Sequence, residues 1–476
     1  MTDENSGANH LTPDQFRQLG YQTIDLIADY MRDIESYPVR SQVGPGDIYR
    51  SFPENPPLHG KPYSEVLEEI KSVIIPGLTH WQSPSFFAYF PSHASGPSIL
   101  GDLLSSGLGV QGMLWITSPA CTELETLVLD WMVEICGLPG HFHSSQSGGG
   151  VIQDSASSAT LCAAIAARER ALNANPDAAL SDLTAYITDQ THSSGEKGLK
   201  IAGFRDDQIR KVMVDEHFRM DVEHLAGRIA EDRSQNRIPT FICATIGTTS
   251  SLAIDPIREI SQLANHSDIW MHVDAAYSGS AAVCPEFRYM FDGLENVNSY
   301  CFNPHKWLLT NFDCDIFYVA DKSDLINALT FSPEYLRNRE SSAGTVFDYS
   351  GWQISLGRRF RSLKLWCVIH HYGVEGLRAH IRSHVKLAEQ FTSWIRESDD
   401  FELFQPTSLN FVCFRHRGGD NKSQQILEML NNSGKLFLTH TVLNGQYVIR
   451  FVPGAIRTQL SHIESAWQQI QQAARS

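Results

Sequence analysis

Apolar positions first fall into a mostly helical register at Phe16, Leu19, Ile24, Ile27, Met31 and Ile34. Thr12, Pro13 and Gln15 supply the start, a Thr-x-x-Gln capping box with proline in the first turn, and Pro38 supplies the stop. Residues 43 to 62 are rich in proline and glycine and carry no period, after which a short helix runs from Ser64 to about Ile75. Trp81, Phe86, Phe87, Tyr89 and Phe90 then form an aromatic segment. Two separated helices bury little by themselves, so residues 1–95 are expected to be a helical arm that packs on a second copy of the chain.

From 96 to 365 the pattern alternates. Ser118 opens a helix through Leu124, Leu127, Leu129 and Trp131, and another starts near Ser155 and reaches Arg170. Short β-rich runs stand at 185–188, 240–245, 269–273 and 315–319, with helical stretches between several of them. That alternation predicts an α/β domain with a mostly parallel sheet covered on both faces. Residues 366–476 mix helices near 373–397 and 458–473 with strands near 410–414 and 447–452, a smaller α+β domain.

Composition narrows the function classes. A net charge of −16 repels a phosphate backbone, so nucleic acid is not an expected partner. Nine scattered cysteines, without a CxxC pair, read as small buried hydrophobes in a reducing compartment. The polar, acidic first residues lack a leader pattern and no apolar run reaches membrane-spanning length; the expectation is a cytoplasmic protein without a membrane partner.

Some motifs mislead. Gly107-Leu-Gly-Val-Gln-Gly112 matches a dinucleotide fingerprint, but the residues before it read as helix where that motif needs a strand. His141, His143, His370 and His371 have no Cys or carboxylate at a ligand spacing, so no metal is expected.

Three segments carry chemistry together. Lys306 follows a β-like run among apolar and aromatic neighbours, where loss of water would turn its amine into a nucleophile; the alternative is an ordinary surface lysine. Asp274 ends the apolar run from Ile269, where a carboxylate suits a protonated pyridine nitrogen or else a helix cap. Gly148-Gly-Gly-Val-Ile-Gln-Asp-Ser-Ala-Ser-Ser158 precedes a helix and can cradle an anion, or be a flexible loop with a serine cap. An anion cradle, a strand-end Asp and an apolar Lys in that order suggest a pyridoxal-phosphate (PLP) enzyme.

The chain resembles the group II PLP-dependent decarboxylases, specifically the aromatic-L-amino-acid decarboxylases. The likeness rests on His80-Trp-Gln-Ser-Pro, Phe86-Phe-Ala-Tyr-Phe-Pro91, Ser118-Pro-Ala-Cys-Thr-Glu-Leu-Glu125, Asp189-Gln-Thr-His192, Asp274-Ala-Ala-Tyr277, Asn303-Pro-His-Lys-Trp307 and Gly357-Arg-Arg-Phe-Arg-Ser-Leu-Lys364. It implies the PLP-dependent fold-type I architecture, like aspartate aminotransferase, and a homodimer with active sites at the interface. It further implies Lys306 as the Schiff-base lysine, Asp274 as the pyridinium partner with Thr249 supporting it, His192 and Ala276 against the two ring faces, and His305 beside Lys306. Ser155, Ala156, Ser157, Asn303 and Gly357 are implied at the phosphate. Trp81, Tyr89, Phe90 and Pro91 would meet the substrate side chain, with Ser92 near its carboxylate and Gln111 and Met113 reaching in from the second subunit.

The implied reaction is loss of CO2 from an aromatic L-amino acid, with Tyr335 of a 330–345 loop reprotonating Cα. Related aldehyde synthases carry Phe at that loop position or Asn at the ring-stacking position, so Tyr335 and His192 favour simple decarboxylation. In plant relatives Gly at the Gly357 position accompanies indolic substrates, so the resemblance leans toward tryptophan-type substrates, with DOPA and tyrosine open. His93, Gln111, Met113, Leu114 and Asp154 depart from better-known members; Asp154, a carboxylate beside a phosphate, is expected to turn away.

Overall fold

The computed structural model describes residues 10–330, 346–405 and 408–475. Its centre is a seven-stranded sheet of β1 (Gly149–Gln153), β2 (Leu183–Thr188), β3 (Ile209–Val212), β4 (Ile238–Thr245), β5 (Trp270–Asp274), β6 (Ser299–Phe302) and β7 (Asp315–Val319). The order is β1-β7-β6-β5-β4-β2-β3, parallel from β6 through β3, with β7 antiparallel to both β1 and β6. Apart from β3, the strands are buried on both faces along nearly their whole length, which is why most read as continuous apolar runs. Helix Ala156–Ala174, alanine-rich on its packed side, closes over Val151, Cys243, Cys301 and Phe317 on one face. Helices Pro119–Cys136, Val222–Ser234 and Ile257–His266 close over Ile152, Ile242, Met271 and Ile316 on the other.

A second, four-stranded antiparallel sheet joins β8 (Phe401–Leu403), β9 (Val412–His416), β10 (Thr439–Leu443) and β11 (Gln446–Phe451) in the order β10-β11-β9-β8. The helices Asp420–Asn432 and Leu460–Arg475 pack there around Phe391, Phe451 and Trp467. The long helix Arg361–Arg396 links the two sheets and is broken at Gly373, whose φ of 62° lies in the left-handed region that glycine tolerates.

The expected α/β architecture, fold-type I, is what the chain adopts. Its details differ from the sequence reading at several points. The first helix spans Pro13–Arg32 with the expected capping box, and a 3-10 turn, Ile34–Ser36, intervenes before Pro38. The Gly149–Gln153 run is itself a strand, where Gly150 leaves room for the Tyr318 ring of the neighbouring strand. Helix Gly96–Leu108 precedes the GxGxxG match, as read, and Gly109 is its left-handed terminus. All nine cysteines are free and eight are buried.

Candidate active site

The strands deliver chemistry at one edge of the large sheet. β1, β2, β5 and β6 all end there, and the antiparallel β7 begins there. Turns that leave strand ends toward covering helices place side chains on a rigid frame at that edge.

Lys306 lies in the single turn Pro304–Trp307 that follows β6. Its amine stands 5.9 Å from the Phe90 ring centroid. Phe90 stacks on Tyr277 at 4.0 Å, and Tyr277 stacks on Trp307 at 5.0 Å, so the lysine is seated on a column of rings. Trp307 donates its indole N–H to His384 Nδ1 at 3.0 Å, which ties the column to the long helix. Burial lowers the Lys306 pKa, with Asp274 and Asp315 opposing it. The amine is therefore nearer its reactive, uncharged form than a free lysine.

Asp274 is buried at the end of β5, and its Oδ1 accepts the Ala276 N–H at 2.9 Å. The Ala276 carbonyl accepts the Asn303 N–H at 3.0 Å, which ties the β5 turn to the Lys306 turn. No hydrogen bond joins Thr249 to Asp274 among the described residues; Thr249 is half-buried in the loop after β4. His192 caps the helix Ser193–Ile201, its Nδ1 accepting the Ser194 N–H at 3.2 Å. Burial lowers its pKa and Asp274 raises it, so three sequence-distant groups, His192, Asp274 and Lys306, act on one another here.

Ser155 precedes helix Ala156–Ala174 but makes no side-chain cap. The N–H groups of Ala156 and Ser157 lie in the first turn, where a helix has no internal acceptor for them. Asp154 is exposed, and its carboxylate accepts the Ser155 hydroxyl at 3.3 Å.

Beside Lys306 a cleft of about 530 Å³ is lined by Trp81, Gln82, Phe90, Ser92, His93, Ala94, His305, Lys306 and Phe312. Ser92 donates to the His305 carbonyl at 2.5 Å, and His305 Nδ1 accepts the Cys314 N–H at 2.9 Å. Tyr89 and Pro91 are not among the lining residues: Tyr89 stacks on Trp81 at 5.6 Å, and Pro91 faces Gly454. Gln111, Met113 and Gly357 form a separate group. Gln111 Oε1 accepts the Arg358 N–H at 2.7 Å, a Cβ on Gly357 would stand 3.1 Å from Gln111 Nε2, and the Met113 carbonyl accepts the Ser350 N–H. Tyr335 lies outside the described residues.

Sequence reading missed three features. Phe312 borders the cleft and packs on the His305 ring at 4.7 Å. Glu125 and Arg358 form a fully buried ion pair at 2.6 Å that holds both the N–H and the carbonyl of Ile152 in β1. Asp315, wholly buried, has both carboxyl oxygens without a partner. The signal for Asp315 was present: a charged residue opening an otherwise apolar strand.

The residues fit PLP. A buried carboxylate with an oxygen to spare suits its pyridinium, free helix N–H groups suit its phosphate, a desolvated amine suits its aldehyde, and Asn303 Oδ1 is a buried acceptor awaiting a donor. Comparison with known proteins agrees. Residues 45–417 match the pyridoxal-dependent decarboxylase conserved domain. Phenylacetaldehyde synthase of Arabidopsis thaliana is 45% identical, covering 99% of both chains. Tyrosine decarboxylase 2 of Narcissus pseudonarcissus is 45% identical, covering 97% of this chain and 94% of that one. The crystal structure of Oryza sativa TDC with PLP and tryptamine superposes with a TM-score of 0.97 at 40% identity, covering 98% of this chain and 99% of that one. The chain therefore belongs to the pyridoxal-dependent decarboxylase family and is a PLP-dependent carboxy-lyase.

Proposed function

We propose that the protein removes CO2 from an aromatic L-amino acid, among tryptophan, 5-hydroxytryptophan, DOPA, tyrosine and phenylalanine, to give the corresponding arylalkylamine. The observation that carries this is a desolvated lysine amine at the end of a cleft walled by Trp81, Phe90 and Phe312. Flat apolar rings receive a flat apolar side chain by stacking, and a charged side chain would lose its water without repayment.

PLP supplies an electron sink for the pair left behind by CO2. Lys306 anchors it through its uncharged amine. Asp274, buried and fixed by the Ala276 N–H, holds a proton on the pyridine nitrogen. The first-turn N–H groups of Ala156 and Ser157, with Ser155 and Asn303, hold the phosphate. His192, oriented by Ser194, would cover one ring face and Ala276 the other, with Thr249 proposed to support Asp274. Ser92 and His305, locked together, orient the substrate. Tyr335 is the proposed donor to Cα.

Gln111, Met113 and Gly357 are not among the residues lining the Lys306 cleft of their own chain, and they are proposed to serve the cleft of a second copy in a homodimer. Exposed leucines on Gly96–Leu108 support the same pairing: Leu100, Leu103, Leu104 and Leu108 are each about half exposed or more.

The close likeness to a phenylacetaldehyde synthase favours one second reading, decarboxylation followed by oxidative deamination. The test supplies L-tryptophan, L-DOPA, L-tyrosine and L-phenylalanine to the PLP-loaded protein and follows CO2, amine and hydrogen peroxide. Equal CO2 and amine without peroxide is the expected result, with tryptophan turned over best. Peroxide with aldehyde would establish the second reading, and absence of CO2 would overturn both.

A further inference from the structure

Asp315 is a buried carboxyl at this edge that the mechanism leaves unused, and neither of its oxygens has a partner among the described residues. Its position follows from strand register. Gln153 pairs with Asp315 across β1 and β7, Cys301 pairs with Phe317 across β6 and β7, and Asp274 pairs with Cys301 across β5 and β6. Paired residues share a sheet face, and residues two apart along a strand share it as well. Asp315, Gln153, Cys301 and Asp274 therefore face the same side, the side covered by helix Ala156–Ala174. At about 4.8 Å per strand, Asp315 stands one strand from Gln153 and two from Asp274. It lies between the phosphate cradle that begins at Ser155 and the carboxylate that meets the pyridine nitrogen.

We propose that Asp315 belongs to the cofactor site as an uncharged acid, and that its proton is what allows the protein to hold the PLP phosphate tightly. An ionised carboxylate there would be wholly buried, without a hydrogen-bond donor, and beside a phosphate dianion; each of these conditions opposes the charge. The charged groups that act on it are Asp274 on β5, Asp154 in the cradle, Lys306 after β6 and Arg361 at the start of the long helix. The remaining titratable neighbours are Cys301, Cys314, Cys162 and Tyr300, whose own pKa values are raised. Burial first, and then the two aspartates, push the Asp315 pKa well up, against Lys306 and Arg361. Linkage is reciprocal: if the proton favours the phosphate, the phosphate favours the proton to the same degree. Retention of PLP should then weaken as pH rises and the proton leaves.

The sign for stability is the same. A carboxyl whose folded pKa is raised contributes stability that is present at low pH and lost as pH rises through the folded pKa. An amide in its place has no proton to lose. An acid that costs stability at neutral pH is the kind of group a functional site retains.

The test compares PLP-loaded wild type with Asp315→Asn, and with Asp315→Ser should the first variant fold poorly. Each is diluted at pH 6.5 to 9, and the apparent dissociation constant for PLP is read from the visible absorbance of bound cofactor. Across that range the wild-type constant is expected to rise more steeply with pH than that of either variant. Denaturant unfolding at pH 8.5 should show Asp315→Asn more stable than wild type. Parallel pH curves would overturn the proposal. So would a variant that is less stable at pH 8.5 and binds PLP more weakly at every pH, because Asp315 would then be an ionised structural partner.

Discussion

The active edge of the large sheet and the N-terminal region are both rich in apolar and aromatic side chains, yet one is buried within its own chain and the other stands open on it. At the edge, Phe90, Tyr277 and Trp307 are buried, and their polar atoms find partners within the chain, such as His384 and Asn410. In the first helix no residue is buried, and Phe16 and Tyr21 are more than half exposed. The leucines of Gly96–Leu108 lie open in the same way. Covering the open half of each leucine would contribute about 1 kcal/mol. The difference fits the proposed dimer, in which folding of one chain would assemble the cofactor half of the site and association would complete the half that includes Gln111, Met113 and Gly357.

The comparison breaks first at Lys306. Lys306→Ala should abolish the visible cofactor absorbance and lower the rate of CO2 release by about four orders of magnitude or more, with sedimentation unchanged. A variant that also fell apart would show the two regions to be one unit. Asp274→Asn, which keeps the shape and the Ala276 contact but loses the charge, should lower kcat by about 10² to 10³ and leave association intact. Leu103→Glu with Leu104→Glu should do the reverse. These residues are half exposed, so the chain should fold and bind PLP, yet sediment as a monomer and lose roughly tenfold or more in kcat. A dimeric double variant would place the pairing surface elsewhere.

Glu125→Gln sharpens the edge itself. It leaves the Arg358 guanidinium buried without a counter-charge, so unfolding should cost about 3–5 kcal/mol less, with a lower Tm. The smallest effect concerns pH. In the apoprotein the Lys306 amine should react with a small aldehyde at a midpoint below the ordinary ~10.4 of lysine, because burial favours the uncharged form. Asp274→Asn removes a carboxylate that opposes this and should lower the midpoint further. A midpoint at or above that of free lysine would remove the case for a desolvated amine.

Much of the site was legible because its residues sit where pattern changes meaning. Asp274 ends an apolar run, Lys306 follows one, and Ser155 opens a helix after glycines; each is a strand end or a helix start in the folded chain. Strands β3, β8 and β10 gave little signal: they are short or alternate between covered and open positions. His192 was legible only through resemblance, since an exposed histidine at a helix start has no period to betray it.

The order of residues was enough to determine the alternation of strands and helices, the parallel buried sheet and the apolar setting of Lys306, because these depend on local period and local composition. Tertiary structure alone decided which groups meet. The antiparallel insertion of β7 brings Asp315 to the same edge as Asp274, and the buried Glu125–Arg358 pair clips β1 from two distant segments. It also moved Tyr89 and Pro91 out of the cleft lining and put Phe312 in, although all three are apolar or aromatic residues near conspicuous motifs. Contact across a sheet depends on strand order and register, and neither is written in the period of any one segment.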